Sequence, residues 1–292
     1  MLKFIKSTYD IEAHASRLRQ RSVSREVAAR QLLTPYRMTR VTGLLWDEKG
    51  ALTMLSTIHV ATVAQLGRYL FPTLGPAKRA RKAGLYAKRL EQLHLIKREK
   101  RPKVLGSVLV PTELGRWLSA VTGDVRVALP PTAAPYGVAL RHRLAVTELY
   151  VRLAENAFRG GGRPLRFQTY PDAWRKYHGP DREDDKKDEL FIKPDATFSM
   201  VKASTRQSWL VAVCDGGEKD GRISTACGNY YQYACFCEQR LGDQPPRILF
   251  LAPTAAECAR IRNVVNNWPG RIRDLFTVAT LADAASILDP PA

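Results

Sequence analysis

The chain has no apolar run approaching the roughly 20 residues that a membrane-spanning helix requires. Its opening, Met1-Leu2-Lys3-Phe4-Ile5-Lys6, leads into polar and charged residues rather than into the apolar core of an export signal. No membrane partner is expected, and the cytoplasm is the expected compartment. Cysteine is scarce: the five residues Cys214, Cys227, Cys235, Cys237 and Cys258 form no CxxC pair, so neither a zinc knuckle nor a disulfide framework is expected. Internal repeats and low-complexity tracts are missing as well. Acidic residues are few in only one part of the chain. Residues 1–120 carry 23 Lys and Arg against 8 Asp and Glu, whereas residues 121–292 carry 23 against 20. Most of the formal charge of +18 therefore sits in the N-terminal part, and a field of that sign attracts a polyanion. With 45% hydrophobic and 25% charged residues over 292 positions, the chain is apolar enough to fold and long enough for two cores.

Residues 1–48 read as a basic helical segment with no recognisable motif. From residue 49 to 122 the pattern is more specific. A short apolar helix over Ala51 to Ile58 is followed by Thr62 at an N-cap position, with Val63, Leu66 and Leu70 at helical spacing until Phe71-Pro72 ends the run. A third helix spans Ala77 to Leu93. Two strands around a basic turn come next, and Pro111-Thr112-Glu113 opens a further helix. Three helices and a two-stranded wing are the order of a winged helix-turn-helix. Between residues 78 and 103 stand 11 Lys or Arg and only 2 Glu, where a solvated helix face would mix signs. Lys78, Arg79, Arg81, Lys82, Tyr86, Lys88 and Arg89 on the third helix, with Lys97, Arg98, Lys100, Arg101 and Lys103 on the wing, are the candidate contacts to double-stranded DNA.

The Pro- and Gly-containing stretch 123–140 reads as a linker. Residues 141–292 then read as a mixed α/β unit: a helix to Phe158, a strand over Leu165 to Thr169, a charged loop from Asp181 to Glu189, and strands over Phe191 to Met200 and Ser208 to Asp215. Helices and strands alternate from there to the C-terminus. Glu148 on the first helix, Asp195 within Lys193-Pro194-Asp195 and Asp215 at a strand end resemble the acidic positions of the PD-(D/E)xK nuclease core, in which carboxylates hold a divalent cation that activates water against a phosphodiester, and the resemblance makes them the candidate catalytic residues. His142 reads either as a phosphate-orienting or as a capping residue. Trp174, Arg175, Lys176 and Tyr177 read as a grip on nucleic acid or a brace for the charged loop. Tyr230, Tyr231 and Tyr233 include a possible nucleophile, although aromatics on a helix are more often core.

Four stretches carry a resemblance: Ala51 to Glu113, His142 to Glu148, Lys193-Pro194-Asp195-Ala196 and Leu210 to Tyr233. In these the chain resembles the replication-relaxation family and the related nuclease-fold, PD-(D/E)xK-like mobilisation relaxases of plasmids. The resemblance implies an α+β multidomain fold, a winged helix-turn-helix followed by a nuclease-like α/β domain. It also implies a mobile-element setting. At the chemistry the chain departs from that pattern, with Val213 where the family carries Glu and Ala226 where it carries Lys; Glu218 or Lys219 in the adjoining loop are the available substitutes. The expectation is a DNA-binding protein without catalysis, acting as a transcriptional regulator or as an accessory factor in DNA transfer. It is expected to be a homodimer that meets other transfer or regulatory proteins and needs no cofactor. The alternative is an active metal-dependent relaxase or nuclease using Mg or Mn at Asp195 and Asp215.

Overall fold

A computed structural model describes residues 44–100, 107–122, 137–160, 164–178, 189–202 and 205–288. The expected helical segment up to residue 43, the wing cations Arg101 and Lys103, most of the linker and most of the charged loop lie outside the described residues.

Helix α1 (Trp46–Ile58) starts five residues earlier than its apolar pattern suggests. Glu48 folds back so that its Oε2 accepts from the Leu45 backbone N–H at 2.8 Å, which caps the first turn. A two-residue strand β1 (Ala61–Thr62) leads into α2 (Val63–Leu70). There Thr62 and Gln65 cap each other reciprocally: the Gln65 N–H donates to Thr62 Oγ1 at 3.1 Å and the Thr62 N–H to Gln65 Oε1 at 3.0 Å. Helix α3 (Pro76–Gln92) follows a tight turn and crosses α2 closely. Gly67 permits that approach, since a Cβ there would stand 3.0 Å from the Arg79 side chain and 3.3 Å from Ala83. Strands β2 (Ile96–Lys100) and β3 (Ser107–Pro111) pair antiparallel, and β1 adds to β3 on its other side. Helix α4 (Glu113–Thr122) completes this part. Leu52, Leu55, Leu66, Leu90, Leu95 and Leu109 form its core.

Helix α5 (Gly137–Phe158) opens the remainder. It is followed by β4 (Leu165–Thr169), β5 (Arg175–His178), β6 (Glu189–Ile192), β7 (Ala196–Lys202) and β8 (Thr205–Val213). Then come α6 (Asp220–Leu241), β9 (Arg247–Ala252), α7 (Ala255–Asn266), the single turn α8 (Gly270–Arg273), β10 (Phe276–Thr280) and α9 (Ala284–Leu288). Five strands form one sheet in the order β10-β9-β8-β7-β4, parallel across the first three and antiparallel across the last three. Alternation along the strands sends Val211, Leu249 and Leu251 to a core shared with α5 and α9, while Leu210, Ile248 and Phe250 face α6 and α7. The fold is mixed α+β, in helices and several sheets.

Two features differ from the sequence expectation. The strand expected over Phe191 to Met200 is two strands. Pro194 has no N–H to give a sheet, so β6 turns away to pair with β5, a strand the sequence pattern did not mark, while β7 joins the main sheet. The second difference concerns α5, which starts at Gly137, inside the stretch expected as linker, and has no exposed residue between His142 and Ala157. One side carries Val146, Leu149 and Leu153 into the sheet core and the other carries Val151 into the core of α1, α2 and α3. Hydrogen bonds cross at the same place: Thr147 Oγ1 donates to the Val60 carbonyl at 2.6 Å and Gln65 Nε2 to the Leu144 carbonyl at 3.1 Å.

Candidate nucleic-acid face and polar cleft

The basic third helix has two sides with different tasks. Ala83, Ala87 and Leu90 are buried, and four of the candidate DNA contacts lean on neighbouring elements. Arg79 donates from Nε to the Phe71 carbonyl at 3.2 Å and from Nη2 to the Pro72 carbonyl at 3.1 Å, satisfying groups at the end of α2. Lys82 Nζ lies 4.1 Å above the Phe71 ring and 3.5 Å from Asp47 Oδ2. Tyr86 donates its hydroxyl to the same Asp47 oxygen at 3.1 Å. Arg89 Nε stands 3.0 Å from Oε1 of Glu48, out of line for a hydrogen bond but a counter-charge to a carboxylate that is fully buried. On the wing strand, Arg98 pairs with Glu91 at 3.6 Å.

Lys78, Arg81, Lys88, Lys97 and Lys100 remain: all are exposed, and none has an ion-pair partner among the described residues. Lys78, Arg81, Leu85, Lys88 and Gln92 fall at i, i+3, i+7, i+10 and i+14, one stripe along the outer face of α3. The first turn of that helix contains no acidic residue, so its exposed backbone amides add to the positive potential.

The second feature lies where α5, β7 and the end of β8 converge. His142, in the second turn of α5, stands between two carboxylates: its Nδ1 is 3.6 Å from Asp195 Oδ1 and its Nε2 is 4.0 Å from Asp215 Oδ2. Asp195 follows Pro194 at the head of β7 and is held by the Val213 N–H, which donates to Oδ2 at 2.8 Å. Asp215 lies just past β8, where Gly216, at φ +90°, turns the chain. The turn returns Glu218, which accepts from the Asp215 N–H at 3.2 Å. One ligand atom from each of His142, Asp215 and Glu218 lies within 4.8 Å of the others. Within this cluster His142 Nε2 and Glu218 Oε2 are buried without a hydrogen-bond partner. The neighbouring Asp195 carboxylate raises the imidazole pKa against the opposing effect of burial, and the charges of Asp215 and Glu218 raise it further.

A cleft of about 260 Å³ adjoins this cluster, lined in part by His142, Arg143, Tyr170, Trp174, Lys193 and Asp195. Lys193 Nζ lies 4.7 Å above Trp174, and the Arg143 guanidinium 5.0 Å above Tyr170. Cations and carboxylates thus share one opening. Burial pushes the Cys214 thiol, adjacent to Asp215, up to about 12, so it takes no part as a thiolate at neutral pH.

The structure therefore brings Asp195 and Asp215 together and leaves Glu148 elsewhere. Six residues beyond His142 is roughly 240° around a helix, and Glu148 emerges on the side of α5 that faces α2. There Arg68 Nη1 donates to its Oε1 at 2.6 Å, Arg152 Nε to the same atom at 2.8 Å and Gln65 Nε2 to Oε2 at 3.3 Å. Arg68 also grips Glu155, one oxygen at 2.9 Å and the other at 2.6 Å. His142 and Glu218 are the residues that sequence reasoning underrated. For Glu218 the available signal was the Gly216-Gly217 turn directly after Asp215, which sets Glu218 three residues on; for His142 it was membership of the same stretch as Glu148. Tyr177 and Tyr230 are core residues, and Tyr230 packs edge-on to Phe250 with its phenol pKa raised by burial. Trp174 lines the cleft, whereas Arg175 binds Gln168 and Thr197.

The latch of Arg68 on two glutamates gives a stability prediction. Removing one member of a buried ion pair costs about 3–5 kcal/mol. These three side chains keep 25%, 15% and 17% exposure, so Arg68→Ala is expected to cost about 2 kcal/mol at neutral pH. Burial raises the Glu155 carboxyl, but the hydrogen bond and charge of Arg68 outweigh it and leave the pKa lowered. A carboxylate depressed in the folded state contributes stability above its unfolded pKa and loses it as pH falls through the folded one. Urea midpoints of wild type and variant should therefore converge on acidification below the ordinary glutamate range; a gap independent of pH would place the effect in packing instead.

No helix among the described residues is long and apolar enough to cross a membrane. Neither a curated protein nor a solved structure matches the chain. The family model for replication-relaxation matches residues 52–242, from α1 through α6, and places the chain in the setting of replication and DNA transfer. Since the match spans well over half of its length, the chain belongs to the replication-relaxation family.

Proposed function

We propose that the chain binds double-stranded DNA through a winged helix-turn-helix formed by residues 49–122 and the preceding turn of α1. In this reading α3 lies in the major groove, the β2–β3 hairpin is the wing, and a nuclease-like unit over residues 141–292 backs them. The protein would serve a mobile element as a regulator or as an accessory factor in DNA transfer. The observation that carries this reading is the stripe on α3, where exposed cations without ion-pair partners among the described residues stand on one face while the cations of the other face are occupied internally. Counterion release makes such an interface steeply salt-dependent. A plot of log affinity against log salt for the full chain on duplex DNA should fall with a slope of about −4 or steeper if five lysines and arginines neutralise phosphates. A flat plot would remove the interface from α3 and the wing.

A second reading, a metal-dependent nicking activity, is favoured by the two orphaned atoms beside Asp195 and Asp215. His142 Nε2 and Glu218 Oε2 lack hydrogen-bond partners among the described residues, and a donor set of one imidazole and two carboxylates within 4.8 Å of one another fits a divalent cation. An imidazole among carboxylates suits Mn²⁺ better than Mg²⁺, which favours oxygen donors. The cation would supply Lewis acidity and an activated water, while Lys193 and Arg143 attract the phosphate. Val213 and Ala226 leave two polar positions empty, and this keeps DNA binding as the first reading.

A further inference from the structure

Leu85 is 62% exposed and stands in the middle of the cationic stripe, with Arg81 and Lys88 on either side along the helix. An apolar side chain is out of place on a face built for a polyanion, unless the polyanion offers something apolar there. The major groove of DNA does so at one kind of base, since the thymine C5-methyl is the apolar feature among the hydrogen-bonding groups on its floor. Lysine and arginine on this stripe reach phosphates or guanine edges, but they gain nothing from a methyl. The helix is also slim beside Leu85. Gly84 has open space where a Cβ would be, and Ala77, an exposed small residue, lies about 80° from Leu85 around the helix. Together these let the backbone of α3 approach the bases while the longer cations splay toward both strands.

We infer that Leu85 is a specificity-determining residue that reads thymine by burying its side chain against the C5-methyl. This rests on the DNA-binding reading of α3. Leu85 belongs to no hydrophobic core cluster among the described residues, and leucine to alanine is favourable in an exposed helix, so Leu85→Ala leaves α3 in place.

The test uses the full chain in three steps. A randomised duplex pool is enriched for binding, the enriched site is synthesised with each thymine replaced in turn by deoxyuridine, and wild type and Leu85→Ala are titrated against the set. Deoxyuridine differs from thymine by the methyl alone. One position is expected at which the replacement weakens wild-type binding by about fourfold, the affinity equivalent of about 0.8 kcal/mol for a methyl-sized group, while Leu85→Ala binds both forms equally. Failure to enrich any duplex overturns the DNA-binding reading itself. Enrichment with indifference to every deoxyuridine overturns this inference alone, as does a methyl preference that persists in Leu85→Ala. A change in oligomeric state on Leu85→Ala with DNA binding unaltered assigns the face to a second copy of the chain and also overturns it.

Discussion

Replacing Lys78, Arg81 and Lys88 together by alanine is expected to weaken duplex binding between about a hundred and a thousandfold near 0.1 M salt, and to flatten the salt dependence by about three units of slope. Each phosphate neutralised contributes a slope of about 0.9, so three lost contacts account for both effects through one cause. The same three residues make no internal ion pair among the described residues and stand exposed, so the thermal unfolding curve should not move. A triple chosen by charge density, Arg79, Arg81 and Lys82, would answer less clearly. Arg79 closes the carbonyls that end α2 and Lys82 stacks on Phe71, so loss of binding in that variant would mix a damaged fold with a damaged interface. Undiminished affinity in the Lys78/Arg81/Lys88 variant would take α3 out of the groove.

On the second reading, calorimetric titration with Mn²⁺ shows one site, weakened about a hundredfold or more by His142→Ala and by Asp215→Asn. Groups that merely orient a ligand already cost about ten- to a hundredfold when lost, and these two would be ligands themselves. Glu148→Gln is the discriminating control. It keeps the shape and some hydrogen bonds of the latch while removing the charge that sequence reasoning placed at the site. With Glu148 held by Arg68 and Arg152 on another side of α5, Mn²⁺ affinity should be unchanged. On supercoiled plasmid, nicking that disappears in Asp195→Ala would establish the second reading, and intact plasmid at saturating Mn²⁺ would leave the cluster a structural one.

Much of the architecture was legible because it is written in periodicity. The helices of residues 49–122 follow from leucines at helical spacing and from Thr62, whose capping role is a local property. The sheet follows from short apolar runs such as Ile248 to Ala252. What sequence could not give was the division of labour on α3. Whether a cation faces water or a neighbour depends on where Asp47, Glu48 and Phe71 stand, and these lie on other elements. The candidate cleft was half legible for the same reason. Asp195 stands just before β7 and Asp215 just past its neighbour β8, and a pattern of strands predicts their meeting. His142 reaches them only through the packing of α5 across the sheet, and Glu148 leaves them through the rotation of that same helix. The break at Pro194 was written in the chain, but the pairing of β6 with β5 depends on residues far from it.

The 22 residues of α5 carry at one end the imidazole between Asp195 and Asp215, and further along both carboxylates that hold Arg68 of α2. A continuous hydrogen-bonded rod does not bend cheaply, and α5 thus ties the position of His142 to those of Glu148 and Glu155, and through Arg68 to α2, the helix preceding α3. Were the cluster to take a cation and the basic face a polyanion, any factor by which the cation changed the affinity for the polyanion would be the factor by which the polyanion changed the affinity for the cation.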